Sequence, residues 1–278
     1  MIMLYRKPGW LPGFFFAFSI VLLSATFASA TAADNSEVNL IIIIDDIGNN
    51  KKLGQRTLAL PGPLNLAFLP HTPFARSLAK QARSRGHSIM LHSPMANKNN
   101  AQLGPGAMTS EMNEQQWRQT LLDNLEAVPF AKGVNNHMGS LLTENPKAMS
   151  VVMQTLQQQG MFFVDSLTTA RSVASQHAAA AGLPYLTRDV FLDHVVKPKA
   201  ISRQFDKAVN LAKSRGIAVV IGHPYPETLE FLEAKLNHSG QPPIKLHSAH
   251  QYLYDRLWNE VPGPSSRYHL KPFKQPDL

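Results

Sequence analysis

Asp45 and Asp46 stand side by side directly after Leu40 and four isoleucines, in the stretch LIIIIDDIGNN (40–50). Two adjacent carboxylates repel, and an apolar setting raises the cost of ionising either. The pair makes sense where a cation sits, or where one carboxyl is meant to take a proton. The same pattern recurs along the chain. His71, His92, His137, Asp165, Asp193 with His194, and His223 each follow a short apolar stretch. Aspartate and histidine with open coordination positions are what a hydrolytic Zn²⁺ site needs. Such an ion lowers the pKa of bound water and polarises a carbonyl. It holds one carboxylate as a ligand and leaves the neighbour free to accept a proton from water. Adjacent strand residues face opposite ways, so both aspartates reach one site only where the strand breaks. Gly48 is the expected place for that break.

Taken singly, each of these residues has a plain reading. An Asp after a strand is often the N-cap of the next helix, and Asp46 or Asp165 fits that role. A lone His after a strand is usually a loop residue. The set is harder to dismiss, because five of the eleven histidines follow apolar stretches, while the starts of those stretches carry His87 but otherwise mostly Gly, Pro, Asn and Lys.

The elements that must position these residues follow from hydrophobic patterning. Strands are expected at VNLIIII (38–44), LNLAFL (64–69), SIML (88–91), KGVNN (132–136), MFFV (161–164), YLTRDVFL (185–192), IAVVI (217–221) and, more weakly, PIKLHS (243–248). Helical patterns lie between them. Thr72 and Pro73 read as N-cap and first helical residue ahead of Phe74, Leu78 and Ala82. Asn113 and Gln116 form a capping-box pattern before Trp117, Leu121 and Leu125. Asn145–Pro146 opens a third helix, Ile201–Ala212 marks a fourth and Pro226 starts a fifth. Gly86, Gly160 and Gly216 close three of them directly before the next strand. Strand, helix, glycine, strand is the order of a parallel α/β protein, with its strands buried on both faces. In such a sheet all strand ends share one face, where active sites are built.

The composition of 44% apolar and 17% charged residues is that of a globular chain. The first thirty residues read differently. Arg6 and Lys7 precede an apolar run, and Ala28-Ser29-Ala30 is a small-x-small cleavage signature. This is the pattern of a secretory signal peptide over 1–30, so an exported, periplasmic protein is expected, with no transmembrane span after cleavage. With no cysteine, stability must come from burial without disulfides. The globular domain is expected over 36–252, with a Pro-rich, loosely packed tail at 257–278. Net charge +8 falls to +6 without Arg6 and Lys7; it suits anionic surroundings, and ordinary solubility is the stronger reading. No basic and aromatic stripe of the nucleic-acid kind is present, so nucleic acid is not expected as a partner. The sequence has no G-x-S-x-G, no G-x-G-x-x-G and no P-loop, which argues against a serine hydrolase or a nucleotide cofactor.

In their order, IIIIDDIG, GHSIMLHSPM, GVNNHMGS, FVDSLTT and VIGHPYPETL resemble the divergent polysaccharide deacetylase family, a distant relative of the NodB-type carbohydrate esterases. The resemblance spans roughly 38–250. It implies an irregular (β/α)7-type barrel and metal-dependent removal of N-acetyl groups from a polysaccharide. By this resemblance Asp45 is the general base, and Asp46 and His92 are metal ligands. The second histidine of the usual His-x-x-x-His pair falls on Ala96, which cannot ligate. His137, in NHMGS, is the candidate replacement. His223 is the acid toward the leaving amine, and Asp165 and Arg188 orient these groups. The function expected is hydrolysis of N-acetyl groups on an envelope glycan such as peptidoglycan, with a divalent metal, Zn²⁺ first. The alternative is a catalytically silent glycan- or protein-binding protein on the same fold.

Overall fold

The computed structural model describes residues 37–237 and 243–259. The expected signal peptide lies outside these residues, as does most of the expected tail. The elements in chain order are β1 (Val38–Ile47), α1 (Lys51–Leu58), β2 (Asn65–Phe68), α2 (Ala75–Ser84), β3 (Ser88–Met95), α3 (Glu114–Ala127), β4 (Gly133–Met138), α4 (Pro146–Gln158), β5 (Phe162–Asp165), α5 (Ala174–Ala180), β6 (Tyr185–Thr187), β7 (Val190–Phe191), α6 (Pro198–Arg215), β8 (Ala218–Gly222), α7 (Pro226–Asn237), β9 (Ile244–Leu246) and α8 (Ala249–Asn259).

The strands form one sheet in the order β6-β5-β4-β3-β2-β1-β8-β7, with β9 on the first residues of β1, and every pairing is parallel. The stretch 185–192, expected as one strand, is two. β6 and β7 form opposite edges of the sheet, yet only Arg188 and Asp189 separate them. Three residue steps reach about 11 Å at most, so the sheet must curl until its edges nearly meet. The link touches both edges: Arg188 N–H donates to Asp165 O of β5 at 3.0 Å, and Asp189 N–H to Val219 O of β8 at 2.9 Å. The result is an irregular, incompletely closed parallel barrel wrapped in helices.

Side-chain alternation divides the core in two. Leu40, Ile42 and Ile44 face outward to the helices, while Ile41 and Ile43 face the barrel interior with Ala67, Met90, Phe162, Val164, Leu186, Val219 and Ile221. All four isoleucines are fully buried, each contributing about 1.5–3 kcal/mol. Helix α8 closes one end of the interior with Ala249 and Leu253. It runs to Asn259, into the segment expected as tail.

Local signals set most helix ends. Asn113 and Gln116 make the reciprocal capping box of α3, and the Asn145 side chain caps α4 ahead of Pro146. Gly216 ends α6 in the left-handed conformation. Helix α2 departs from expectation. It starts at Ala75, and the Thr72 hydroxyl donates back to Leu69 O instead of capping.

Candidate active site

Five strands that line the interior place a polar residue two positions after their last inward apolar one, whereas in β2 Leu69 follows Ala67. Asp45 follows Ile43, His92 follows Met90, His223 follows Ile221, Ser166 follows Val164 and Arg188 follows Leu186. The period-two rule therefore puts these groups in one layer above the apolar interior.

Asp46 breaks that rule. It lies at φ 57°, in the left-handed region, and the pairing of β1 with β2 slips between Ile44 and Ile47. This bulge turns Asp46 to the side that Asp45 already faces. The bulge is at Asp46 itself, and Gly48, at φ 139°, then takes the chain out of the strand as expected; a Cβ there would also lie 2.1 Å from Thr72 Oγ1.

Three donor atoms converge. Asp46 Oδ1 lies 2.9 Å from His137 Nδ1 and 3.2 Å from His92 Nε2, and the two ring nitrogens are 3.1 Å apart. Donors about 2.0–2.1 Å from a tetrahedral zinc stand about 3.3 Å from one another. The triangle is close to one face of such a tetrahedron. Asp46 Oδ1 is buried and makes no hydrogen bond, although two ring nitrogens crowd it. Both observations fit a cation shared by Asp46, His92 and His137, which together could hold a metal ion.

Asn135 orders this cluster. Its amide donates to Asp45 Oδ1 at 2.8 Å, and its carbonyl oxygen meets His92 Nδ1 at 2.9 Å. That contact needs hydrogen on Nδ1, so Nε2 is the nitrogen turned to Asp46. One side chain thereby orients a ligand and the neighbouring carboxylate. Asn136 braces the adjoining turn, accepting from Ser166 N–H and donating to Met138 O.

The electrostatics separate the two aspartates. Burial raises Asp45 above the usual carboxylate range, only partly offset by His92, His223 and Asn135. Burial also opposes the ionisation of Asp46, but the His137 and His92 rings outweigh it and hold this carboxyl far below that range. His92 is raised, because Asp45 and Asp46 overcome its own burial. The field that favours a proton on that ring favours a divalent cation in its place.

His223 stands opposite, its Nε2 3.9 Å from Asp46 Oδ2. Its Nδ1 pairs with Asp193 Oδ1 at 2.9 Å. Asp193 Oδ2 accepts the His223 backbone N–H at 2.6 Å and the Thr228 hydroxyl at 2.9 Å. Burial would depress His223, but Asp193, Asp45 and Asp46 together push it up to about 9.

Asp45, Asp46, His92, His137 and His223 therefore share one cavity of about 250 Å³. That is below the roughly 300–1,000 Å³ that encloses a whole small ligand, and suits one substituent of a larger polymer. Asp165 is elsewhere. Its carboxylate is spent on the Leu167 N–H at 2.9 Å and the Ser172 hydroxyl at 2.8 Å, so it braces the β5–α5 loop rather than the reacting groups. The orienting place expected for it belongs to Asp193. His71 pairs with Asn124 and His194 lies exposed beside the Phe191 ring; neither lines the cavity. Ala96 is buried in the outer core, its N–H bonded to Met108 O and its carbonyl accepting from Leu141 and Leu142. His137 completes the donor set instead.

Comparison with known proteins agrees with this architecture. The chain is 36% identical over 194 residues to the uncharacterized protein YibQ of Escherichia coli (strain K12), a match covering 70% of this chain and 61% of YibQ. It is 31% identical over 264 residues to an uncharacterized protein of Haemophilus influenzae, covering 92% of each. The chain thus spans about three fifths of the first relative's length and nearly all of the second's. Among solved structures, uncharacterized protein ATU2773 from Agrobacterium tumefaciens C58 superposes with TM-score 0.75 over 78% of this chain and 89% of that one, at 21% identity. That likeness speaks for the fold alone. The family profile described as divergent polysaccharide deacetylase matches residues 42–253, and the chain belongs to that family.

Proposed function

We propose that this protein is an exported, metal-dependent hydrolase that removes N-acetyl groups from an envelope glycan. The observation that carries this reading is the convergence of Asp46 Oδ1, His92 Nε2 and His137 Nδ1 about 3 Å apart, with Asp46 Oδ1 unbonded. Family membership supports the deacetylase chemistry, and the leader-like first thirty residues support export. The donor set of two imidazoles and one carboxylate favours zinc. Bound there, such an ion supplies Lewis-acid polarisation of the acetamide carbonyl and eases ionisation of water.

The chain's own groups do the rest. Asp45, made a better base by burial and held in place by Asn135, accepts the proton of the attacking water. His223 gives its Nδ1–H to Asp193, leaving Nε2–H to face the site. With its pKa pushed up to about 9, it is charged at neutral pH and can protonate the leaving nitrogen. The apolar interior beneath forms the floor of this layer. The test is acetate release from chitooligosaccharides or peptidoglycan fragments with added Zn²⁺, Co²⁺ or Ni²⁺, lost in Asp46→Asn. Absence of release with every metal and substrate overturns the reading.

Alanine at position 96, where a ligand is usual, favours one second reading, a silent glycan-binding protein. Glycan affinity that survives chelation and Asp46→Asn, without acetate release, would establish it.

A further inference from the structure

Arg188 lines the cavity, yet the chemistry above does not use it. It sits in the two-residue link between the barrel's edges. Its Nε donates to Ser166 O at 2.7 Å and its Nη2 to Leu167 O at 3.0 Å, which pins the β5–α5 loop. Both partners are neutral carbonyls. The guanidinium lies 5.2 Å from the centre of the Phe191 ring. A guanidinium has five N–H donors, and the two on Nη1 take part in neither contact.

Among the described residues no carboxylate forms an ion pair with Arg188, and the nearby acids are engaged elsewhere. Asp189 accepts from Val219 N–H and pairs with Arg215. Asp165 accepts from Leu167 N–H and Ser172, and Asp45 from Asn135. Burial outweighs the distant pull of Asp165, Asp45 and Asp189 and lowers the guanidinium below the ordinary arginine range. A half-buried cation at a binding cavity without its own acid is suited to an acid on the ligand. The loop leaving β7 continues the theme outside. Lys197 is exposed at its end, and α6 adds exposed Lys199, Arg203 and Lys207, with Asp206 the one acid between Lys197 and Arg215.

We propose that the glycan taken by this site is acidic, and that Arg188 binds a carboxylate on the N-acetylated sugar or its immediate neighbour. This rests on the deacetylase reading and names its substrate class. The planar fork suits a carboxylate, and Phe191 beneath it limits the directions from which that group arrives. Lys197 and Lys199 follow the polymer beyond the pocket and contribute attraction that salt screens.

The test is calorimetric titration of the full chain carrying Asp45→Asn, so that no acetyl group is lost, with Zn²⁺ present. Three ligands of equal length are compared: peptide-free strands alternating N-acetylglucosamine and N-acetylmuramic acid, the same strands with carboxylates converted to amides, and chitooligosaccharides. The acidic strands are expected to bind about tenfold tighter than either neutral ligand, one charge-assisted contact's worth, and the preference shrinks in salt. Adding Arg188→Met brings the three affinities within about twofold of one another, whereas Arg188→Lys keeps part of the preference. If Arg188→Met melts early, Arg188→Lys and the salt dependence decide. Equal binding of all three ligands, or a preference that Arg188→Met retains, overturns the acidic-substrate inference alone. Binding of none of them, together with no acetate release by the unmutated chain, overturns the deacetylase reading as well.

Discussion

Histidines stand at both ends of the barrel, and their partners differ. At the end where strands begin, His87 Nδ1 accepts from Leu64 N–H and Nε2 donates to Leu58 O, both at 3.2 Å. Nearby, His247 Nε2 meets Asn39 Oδ1 at 2.8 Å. Burial lowers the pKa of both rings. At the end where strands finish, His92 and His223 are raised by the carboxylates around them. Burial does not separate the classes, since His87 is 6% exposed and His92 is 2%. Partner chemistry does. A ring satisfied by neutral groups has one fixed tautomer and acts as a strut. A ring facing carboxylates attracts positive charge, and three such rings around Asp46 make a site.

The sharpest break of this comparison is a pair of alanines. His92→Ala is expected to abolish stoichiometric Zn²⁺ binding and to take acetate release below detection, measured by elemental analysis and an acetate assay. His87→Ala keeps the metal but strands the Leu64 N–H, at about 1–3 kcal/mol, while Leu58 O keeps its bond from Arg85 Nη1. Urea denaturation reads that loss. If His87→Ala lost metal while His92→Ala kept it, the division of the two ends would be wrong.

Next in size is Asn135, the amide shared by Asp45 and His92. Asn135→Ala leaves every proposed ligand present but frees their orientation. Zn²⁺ affinity is expected to fall about 10–100-fold, read by competition with a chromogenic chelator. An unchanged affinity would mean that the strands alone hold His92 in place.

These residues also mark where the sequence was legible. The parallel order was, because continuous apolar strands alternating with amphipathic helices leave few other folds. Helix α1 was not, because KKLGQRTL carries Gly54 at the point where Leu78 approaches; a Cβ there would lie 2.4 Å from Leu78 Cδ1. Helix α5, ASQHAAA, has no apolar stripe to read. The break in 185–192 was hidden because both halves are apolar, and only the curl of the sheet sends them to opposite edges. In the site, Asp45, Asp46, His92, His137 and His223 stood out by residue type at strand ends. Asp165 stood out equally and is a loop brace, because residue type does not say which way a carboxylate turns. Asn135 and Asn136 made their strand look poor by propensity, which was itself the signal: two fully buried amides need partners. Asp193 was visible after β7, but its pairing with His223 depends on β7 lying beside β8.

Asp193 gives the next test. His223 has a folded pKa of about 9 against an ordinary value near 6.5. Its protonated form therefore stabilises the fold fully below about pH 6.5, and that contribution is lost as pH rises through about 9. In metal-free protein, the stability gap between the unmutated chain and Asp193→Asn is expected to be widest near pH 6 and to narrow toward pH 9.5. In the metal-loaded protein, the basic limb of kcat/KM for acetate release shifts to lower pH in the variant, because His223 loses the Asp193 carboxylate. A limb that stays in place would separate His223 from the proton transfer.

The smallest effect is expected at Glu144, which sets a surface carboxylate beside the buried ones. Lys98, Thr169 and Arg171 all bond to it, with Arg171 Nη2 3.0 Å from Oε2, and its pKa falls to about 2. Depression of this kind stabilises the folded chain above about pH 4.5 and is lost as pH falls through about 2. Glu144→Gln should lower the melting temperature slightly at pH 7 in low salt, less in high salt, and the difference should fade toward pH 2. Zn²⁺ binding should not change. Glu144 and Asp46 both have lowered pKa values, but Glu144 owes its value to two cations and a hydroxyl in solvent, where exposed pairs contribute little. Asp46 is held down by the buried His92 ring and the half-buried His137 ring against burial itself. If Glu144→Gln impaired metal binding as Asp46→Asn does, the loops that Glu144 ties together would be part of the metal centre, and partner chemistry would no longer suffice to tell the two carboxylates apart.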